Sequence, residues 1–130
     1  MDFPDDRRYA ESHEWAKREG ELVRVGISDF AQDQLGDIVF VDLPPVRTTL
    51  ARGQAFGVIE SVKAVADLLA PVSGEVVEVN GDLFDDLDAI SAEPYGRGWV
   101  MLIRASDPTE LDSLMDAAAY QQHCEEEEAR

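Results

Sequence analysis

From residue 9 to residue 104 the chain is cut so often by Gly, Pro, Asn and Asp that few apolar runs outlast one short strand. That punctuation is incompatible with a helical bundle and predicts short β-strands joined by tight turns. A first hairpin is expected from residues 13–17 and 22–27, joined across 18–21. Ser28 is placed to cap a short helix over 29–35, which Gly36 ends. The β-branched run 38–41 stops at Pro44-Pro45, and further strands are expected over 54–62, 65–70, 75–79 and 99–104. The acidic stretch 82–88 reads as one helical turn. Beyond residue 105 the composition shifts. Ser106 or Asp107 caps a helix with Pro108 at its first position, Leu111, Leu114 and Met115 share a face, and 117–124 continues helically. The run Glu125–Glu128 reads as a frayed, solvated tail, because acids at a helix C-terminus oppose the macrodipole. These elements make a mainly β protein, a small sandwich or flattened barrel with a helix packed outside it. One domain is expected over residues 1–130, with 1–8 a polar lead-in and 106–130 a C-terminal helix and acidic tail.

Charge narrows the functions. Asp and Glu number 28 against 11 Lys and Arg, a net charge of −17. Such a surface repels phosphate backbones and anionic lipid, so neither nucleic acid nor membrane is an expected partner. No apolar run approaches the roughly 20 residues that span a bilayer. The start, Met1-Asp2-Phe3-Pro4-Asp5-Asp6-Arg7-Arg8, has the form of neither a secretory signal nor a transit peptide, and a cytoplasmic setting is expected. The one cysteine, Cys124, excludes an internal disulfide, and two histidines leave little material for a metal cluster, so no metal is expected.

The most informative stretch is Gly57-Val58-Ile59-Glu60-Ser61-Val62-Lys63-Ala64-Val65-Ala66-Asp67. Of 11 basic residues only Lys17 and Lys63 are lysine, and Lys63 stands where two apolar runs meet. Both runs read as buried strands, so their link should be a tight hairpin. Yet Val62-Lys63-Ala64-Val65 holds none of the residues that accept φ > 0 in two-residue hairpin turns. A local rule broken in this way points to function at the position. Lysine alone offers a primary amine on a flexible stem that an enzyme can acylate, which a guanidinium cannot replace.

The motif Glu60-Ser61-Val62-Lys63-Ala64, with Ala70-Pro71-Val72-Ser73-Gly74-Glu75 after it, resembles the lipoylation hairpin of the glycine cleavage system H proteins. Ser12-His13-Glu14-Trp15, Val25-Gly26-Ile27-Ser28, Leu35-Gly36-Asp37, Val39 to Pro44, Pro94-Tyr95, Gly98-Trp99 and Glu110 to Leu114 extend the resemblance over most of the chain. It implies a lipoyl-domain-like hybrid barrel-sandwich of short antiparallel strands, with short helices and a C-terminal helix. It also implies a non-catalytic carrier with lipoate attached covalently through Lys63. Ser12, Glu14 and Asp67 match residues that help hold the aminomethyl-loaded arm in a surface cleft. Gln34 stands where several relatives carry His, Leu87 replaces a common Pro, and Ser91 replaces a usual Asn. The implied partners are the pyridoxal-phosphate glycine decarboxylase, the tetrahydrofolate-dependent aminomethyltransferase, the FAD- and NAD-dependent dihydrolipoyl dehydrogenase and a lipoate-attaching enzyme. A monomer is the simplest state for such a shuttle.

Other readings separate on single residues. His13-Glu14 begins like H-E-x-x-H, but Lys17 occupies the position of the second histidine. His123 and Cys124 are adjacent, and adjacent helical residues point about 100° apart, so they form no nucleophile pair. A biotin carrier flanks its lysine with Met, whereas Val62 and Ala64 stand here. An H-like carrier in sulfur oxidation or lipoyl relay remains the alternative to glycine cleavage, and the full Ser12-His13-Glu14-Trp15 match favours the latter.

Overall fold

The structure, a computed structural model, describes residues 1–130. Nine strands form two antiparallel sheets. The larger has the order β1 (Arg8–Tyr9), β2 (Glu14–Glu19), β3 (Leu22–Ile27), β9 (Met101–Ala105), β8 (Gly74–Val79), β5 (Thr49–Leu50). The smaller is β4 (Ile38–Asp42), β6 (Ala55–Ser61), β7 (Val65–Leu69). Residues alternate about the pleat, so each sheet turns one apolar set inward. Val23, Val25, Val76 and Ile103 of the large sheet meet Val41, Ile59 and Leu68 of the small one in a single buried core. This is the mainly β barrel-sandwich that the sequence implies.

Helix α1 (Asp29–Leu35) matches expectation at both ends. The Ser28 hydroxyl accepts the Ala31 amide at 3.1 Å, and Gly36 leaves the helix at φ 77°. That dihedral favours glycine because it carries no Cβ. The acidic stretch splits into a 3-10 turn, Gly81–Phe84, and α2 (Asp88–Ala92).

The C-terminal region differs from expectation. One continuous helix does not form. Pro108–Ser113 is a 3-10 segment, and the backbone then extends through Leu114. A separate helix, α3 (Ala117–Glu128), starts behind its own cap, with Asp116 accepting the Ala119 amide at 2.8 Å. The interruption has a tertiary cause. Met115 exchanges two backbone hydrogen bonds with Tyr9, at 2.8 and 2.9 Å, which a helical residue could not supply. Glu125–Glu128 is also not frayed but forms the last turn of α3. Tyr120 and Cys124, one turn apart, are the two residues α3 buries. They close a second apolar cluster with Tyr9, Trp15 and Phe30, in which the Tyr9 and Tyr120 rings stack at 4.5 Å.

Candidate functional site

The β6–β7 hairpin carries Lys63 at its tip, with Glu60 opposite Val65 as the last strand pair. No residue of the link takes a positive φ. The turn closes by another device. Ser61 donates its amide to the Ala64 carbonyl at 2.8 Å, while its hydroxyl oxygen accepts the amides of Ala64 at 3.0 Å and Lys63 at 3.3 Å. A serine side chain thus replaces the glycine that turn statistics call for. The Val62 amide donates to the Asp37 carbonyl at 3.0 Å and ties the tip to the residues that follow α1.

The expectation of two buried strands needs correction at the tip. Val62 is 75% exposed and Val65 68%, and both stand clear of the core. On neighbouring β4, Val39 and Phe40 are also exposed, where a register shift between Ile38 and Phe40 leaves Val39 unpaired. Lys63 is exposed and joins no ion pair, whereas Lys17 pairs with Asp6 at 3.3 Å. Its stem passes close to Gly36, where an added Cβ would lie 3.5 Å from Lys63 Cε. The ammonium therefore sits near the C-terminus of α1, whose free carbonyls favour positive charge.

Beside the hairpin lies a cleft of about 190 Å³ that brings together Ser12, Glu14, Gln34 and Asp67, floored by Phe30 and Leu35. The three residues predicted to hold a loaded arm share this one cavity. Larger grooves exist, about 380 Å³ beside Arg7 and Asp112 and about 410 Å³ between Arg52 and Met115; the second reaches Ser12 and Leu69, at the end of the hairpin far from Lys63, but neither includes Glu14 or Asp67. Glu14 is 1% exposed. One of its carboxylate oxygens accepts the Leu69 amide at 3.0 Å, and the other accepts the Ser12 hydroxyl. Burial raises its pKa to about 7, against the pull of these hydrogen bonds. Asp67 lies exposed on β7.

Sequence reasoning missed two groups. Ser61 was legible as a side-chain-closed turn, since a hydroxyl two or three residues before free amides is a known turn device. The packing of α3 was not legible. It sets the His13 ring against Tyr120, His123 and Glu127, residues over one hundred positions away in the chain.

Fold and site together define a class: a lipoyl-domain-like barrel-sandwich that acts as a carrier, not as an enzyme. A family profile described as "Glycine cleavage H-protein" matches residues 7–127. A glycine cleavage system H protein of Anaeromyxobacter sp. (strain K) is 52% identical over 128 residues, 98% of this chain and 100% of the relative. One from Synechococcus sp. (strain CC9605) is 58% identical over 118 residues, 91% of this chain and 92% of the relative. The crystal structure of a glycine cleavage system H protein from Mycobacterium marinum superposes with a TM-score of 0.85 at 41% identity, covering 92% of this chain and 96% of that one. The chain belongs to the glycine cleavage H-protein family.

Proposed function

We propose that Lys63 bears the lipoyl group of a glycine cleavage carrier, joined as an amide to its ε-nitrogen. The observation that carries this reading is an exposed, unpaired primary amine on a turn stiffened by Ser61, next to the cleft that holds Ser12, Glu14 and Asp67. Acylation needs an accessible amine, and Lys63 offers one without breaking an ion pair. Bound lipoate supplies a redox-active dithiolane that carries the aminomethyl group of glycine and then reducing equivalents. The chain positions that arm. Each oxygen of Glu14 has a lone pair beyond the one already used, so Glu14 can accept from an ammonium in the cleft. With its pKa raised to about 7, Glu14 is part-protonated near neutral pH, and an arriving cation favours its ionised form. The apolar floor excludes water from one side of the cavity, while Asp67 at its edge adds a second acceptor. Val39 and Phe40 on β4 and Val62 and Val65 on the hairpin are exposed apolar side chains that the partners can grip.

These partners are glycine decarboxylase, aminomethyltransferase, dihydrolipoyl dehydrogenase and the enzyme that attaches lipoate. A tethered substrate meets each at high effective concentration, so tight docking is unnecessary. The net charge of −17 suits fast, reversible encounters with basic surfaces. No helix is long and apolar enough to cross a membrane. We infer a monomer acting in the cytoplasm, where the one cysteine stays reduced.

Peptide mapping and intact mass of protein from its native host should show one lipoyl-sized adduct, confined to Lys63. Lys63→Arg should keep the fold and abolish glycine-dependent carbon dioxide exchange with the decarboxylase. Normal exchange by that variant would sink the assignment. Failure of the lipoylated protein to accept an aminomethyl group from the decarboxylase would direct it to another pathway.

A further inference from the structure

We propose that His13, His123 and Glu127 form a site for a borderline divalent cation of the zinc class, on the wall where α3 meets the cleft. Their donor atoms all lie within 4.8 Å of one another. The Glu127 carboxylate already stands between the two rings, with Oε2 at 2.9 Å from His13 Nε2 and 3.5 Å from His123 Nε2. Two imidazoles and one carboxylate are a donor set that zinc and its neighbours favour.

The arrangement goes beyond a chance ion pair because the inner ring is fixed from behind. His13 Nδ1 lies 2.7 Å from the Tyr120 hydroxyl, and that hydroxyl lies 2.6 Å from Ser28 Oγ. Phe30 packs against the same ring at 4.9 Å. A histidine ligand is typically oriented by a hydrogen bond at its second nitrogen, and Tyr120 supplies it here. Without an ion, His13 Nε2–H donates to the Glu127 carboxylate and Nδ1 accepts from the Tyr120 hydroxyl. An arriving ion takes Nε2 in the other tautomer, with the proton on Nδ1 donated to Tyr120 and Tyr120 donating in turn to Ser28. His123 and Glu127 are four residues apart on α3 and so share a face. The Glu11 carbonyl, 3.1 Å from His123 Nε2, adds an oxygen at the edge of the site.

Tetrahedral ligation at zinc distances puts donor atoms about 3.3 Å apart, so the cluster must contract. The His123 and Glu127 side chains are 26% and 41% exposed and can move, while His13 at 15% is held. Glu125, Glu126 and Glu128 neighbour Glu127 on the exposed last turns of α3, and their charge raises the local concentration of cations. A bound ion would join the last turns of α3 to the turn before β2. Since His13 and Glu127 both line the arm cleft, it would also stiffen that wall.

The test uses the full chain carrying Lys63→Arg, so that no arm thiol competes and the outcome is independent of the lipoyl reading. Calorimetric titration with zinc chloride should give one saturable site. His123→Ala and Glu127→Gln should each weaken it at least tenfold, while Glu126→Gln changes it less than twofold. Cobalt(II) should give visible ligand-field bands and strongly shift the His13 ring protons in NMR spectra. Absence of saturable binding, unchanged affinity in His123→Ala, or equal weakening by Glu126→Gln would overturn the proposal. So would a thiolate-to-metal charge-transfer band, which would move the ion to Cys124.

Discussion

The turn at Lys63 and the turn before β2 at His13-Glu14 use the same small device for opposite ends. In each, a serine two residues before the charged side chain supplies a hydroxyl. Ser61 spends its oxygen on backbone amides, which leaves the Lys63 side chain free of local partners and facing water. Ser12 turns its hydroxyl onto Glu14 itself, and the Leu69 amide takes the other oxygen. One turn therefore exposes a charge and the other hides one. The difference follows from what lies behind them. Val62 and Val65 flank the lysine without joining the core, whereas Trp15, next to Glu14, is wholly buried and faces Gly26 across β3. A carrier needs both behaviours side by side: an amine that enzymes can reach, and a wall whose charge responds to what enters the cleft.

The sharpest way to break this contrast is to loosen the buried wall. Trp15 packs against Tyr95 and Arg7, and its indole donates to the Pro94 carbonyl at 3.0 Å. Trp15→Ala should cost about 3–5 kcal/mol of unfolding free energy by urea denaturation. The loss should also release Glu14 from its buried setting, so that arm-cleft function fails together with stability. A cost below about 1 kcal/mol would mean that the wall is not rigid.

The hidden charge has a pH signature with a definite sign. Glu14 has its pKa raised from 4.5 to about 7. The native state therefore binds more protons than the unfolded chain between those values, and stability falls as pH rises through that window. Below about 4.5 the penalty is absent, and above about 7 it is complete. At 1.36 kcal/mol per pH unit the penalty reaches about 3 kcal/mol. Glu14→Gln keeps an oxygen for the Leu69 amide and has no charge to desolvate. The difference in stability, variant minus wild type, should grow by about that amount between pH 4.5 and 7, read from urea midpoints. A difference that stays flat would show that Glu14 ionises without penalty.

Much of the β framework was legible because strand propensity and turn chemistry agreed along it, as in β2, β3 and α1 with its Ser28 cap. Legibility failed where a distant partner decided. Leu111, Leu114 and Met115 have helical spacing, but the Met115 backbone is claimed by Tyr9, more than one hundred residues earlier. Four glutamates at a helix end look unstable in isolation, yet Tyr120 and Cys124 anchor the helix and Glu127 meets His13. At the site, Lys63 stood out because it broke a turn rule. Glu14 stood out only through family resemblance, since a lone acid beside a strand says nothing about its burial. The pairing of His13 with His123 had no local signal at all, being created by the docking of α3.

The smallest expected effect tests the exposed turn. Ser61→Ala removes the acceptor of the Lys63 and Ala64 amides but keeps the Ser61 backbone bond to Ala64. Both amides lie at an exposed tip where water can replace the hydroxyl, so the loss should be about 1 kcal/mol. The larger consequence should be dynamic. Amide hydrogen exchange at Lys63 and Ala64 should speed up without change at Leu68 or Ile59, because the core strands do not depend on the tip. If the tip must be stiff to present its amine, lipoate attachment to Ser61→Ala should slow while the unfolding midpoint barely moves. If attachment instead keeps its wild-type rate as exchange quickens, exposure alone matters at this turn, and its stiffness serves the docked complexes that follow.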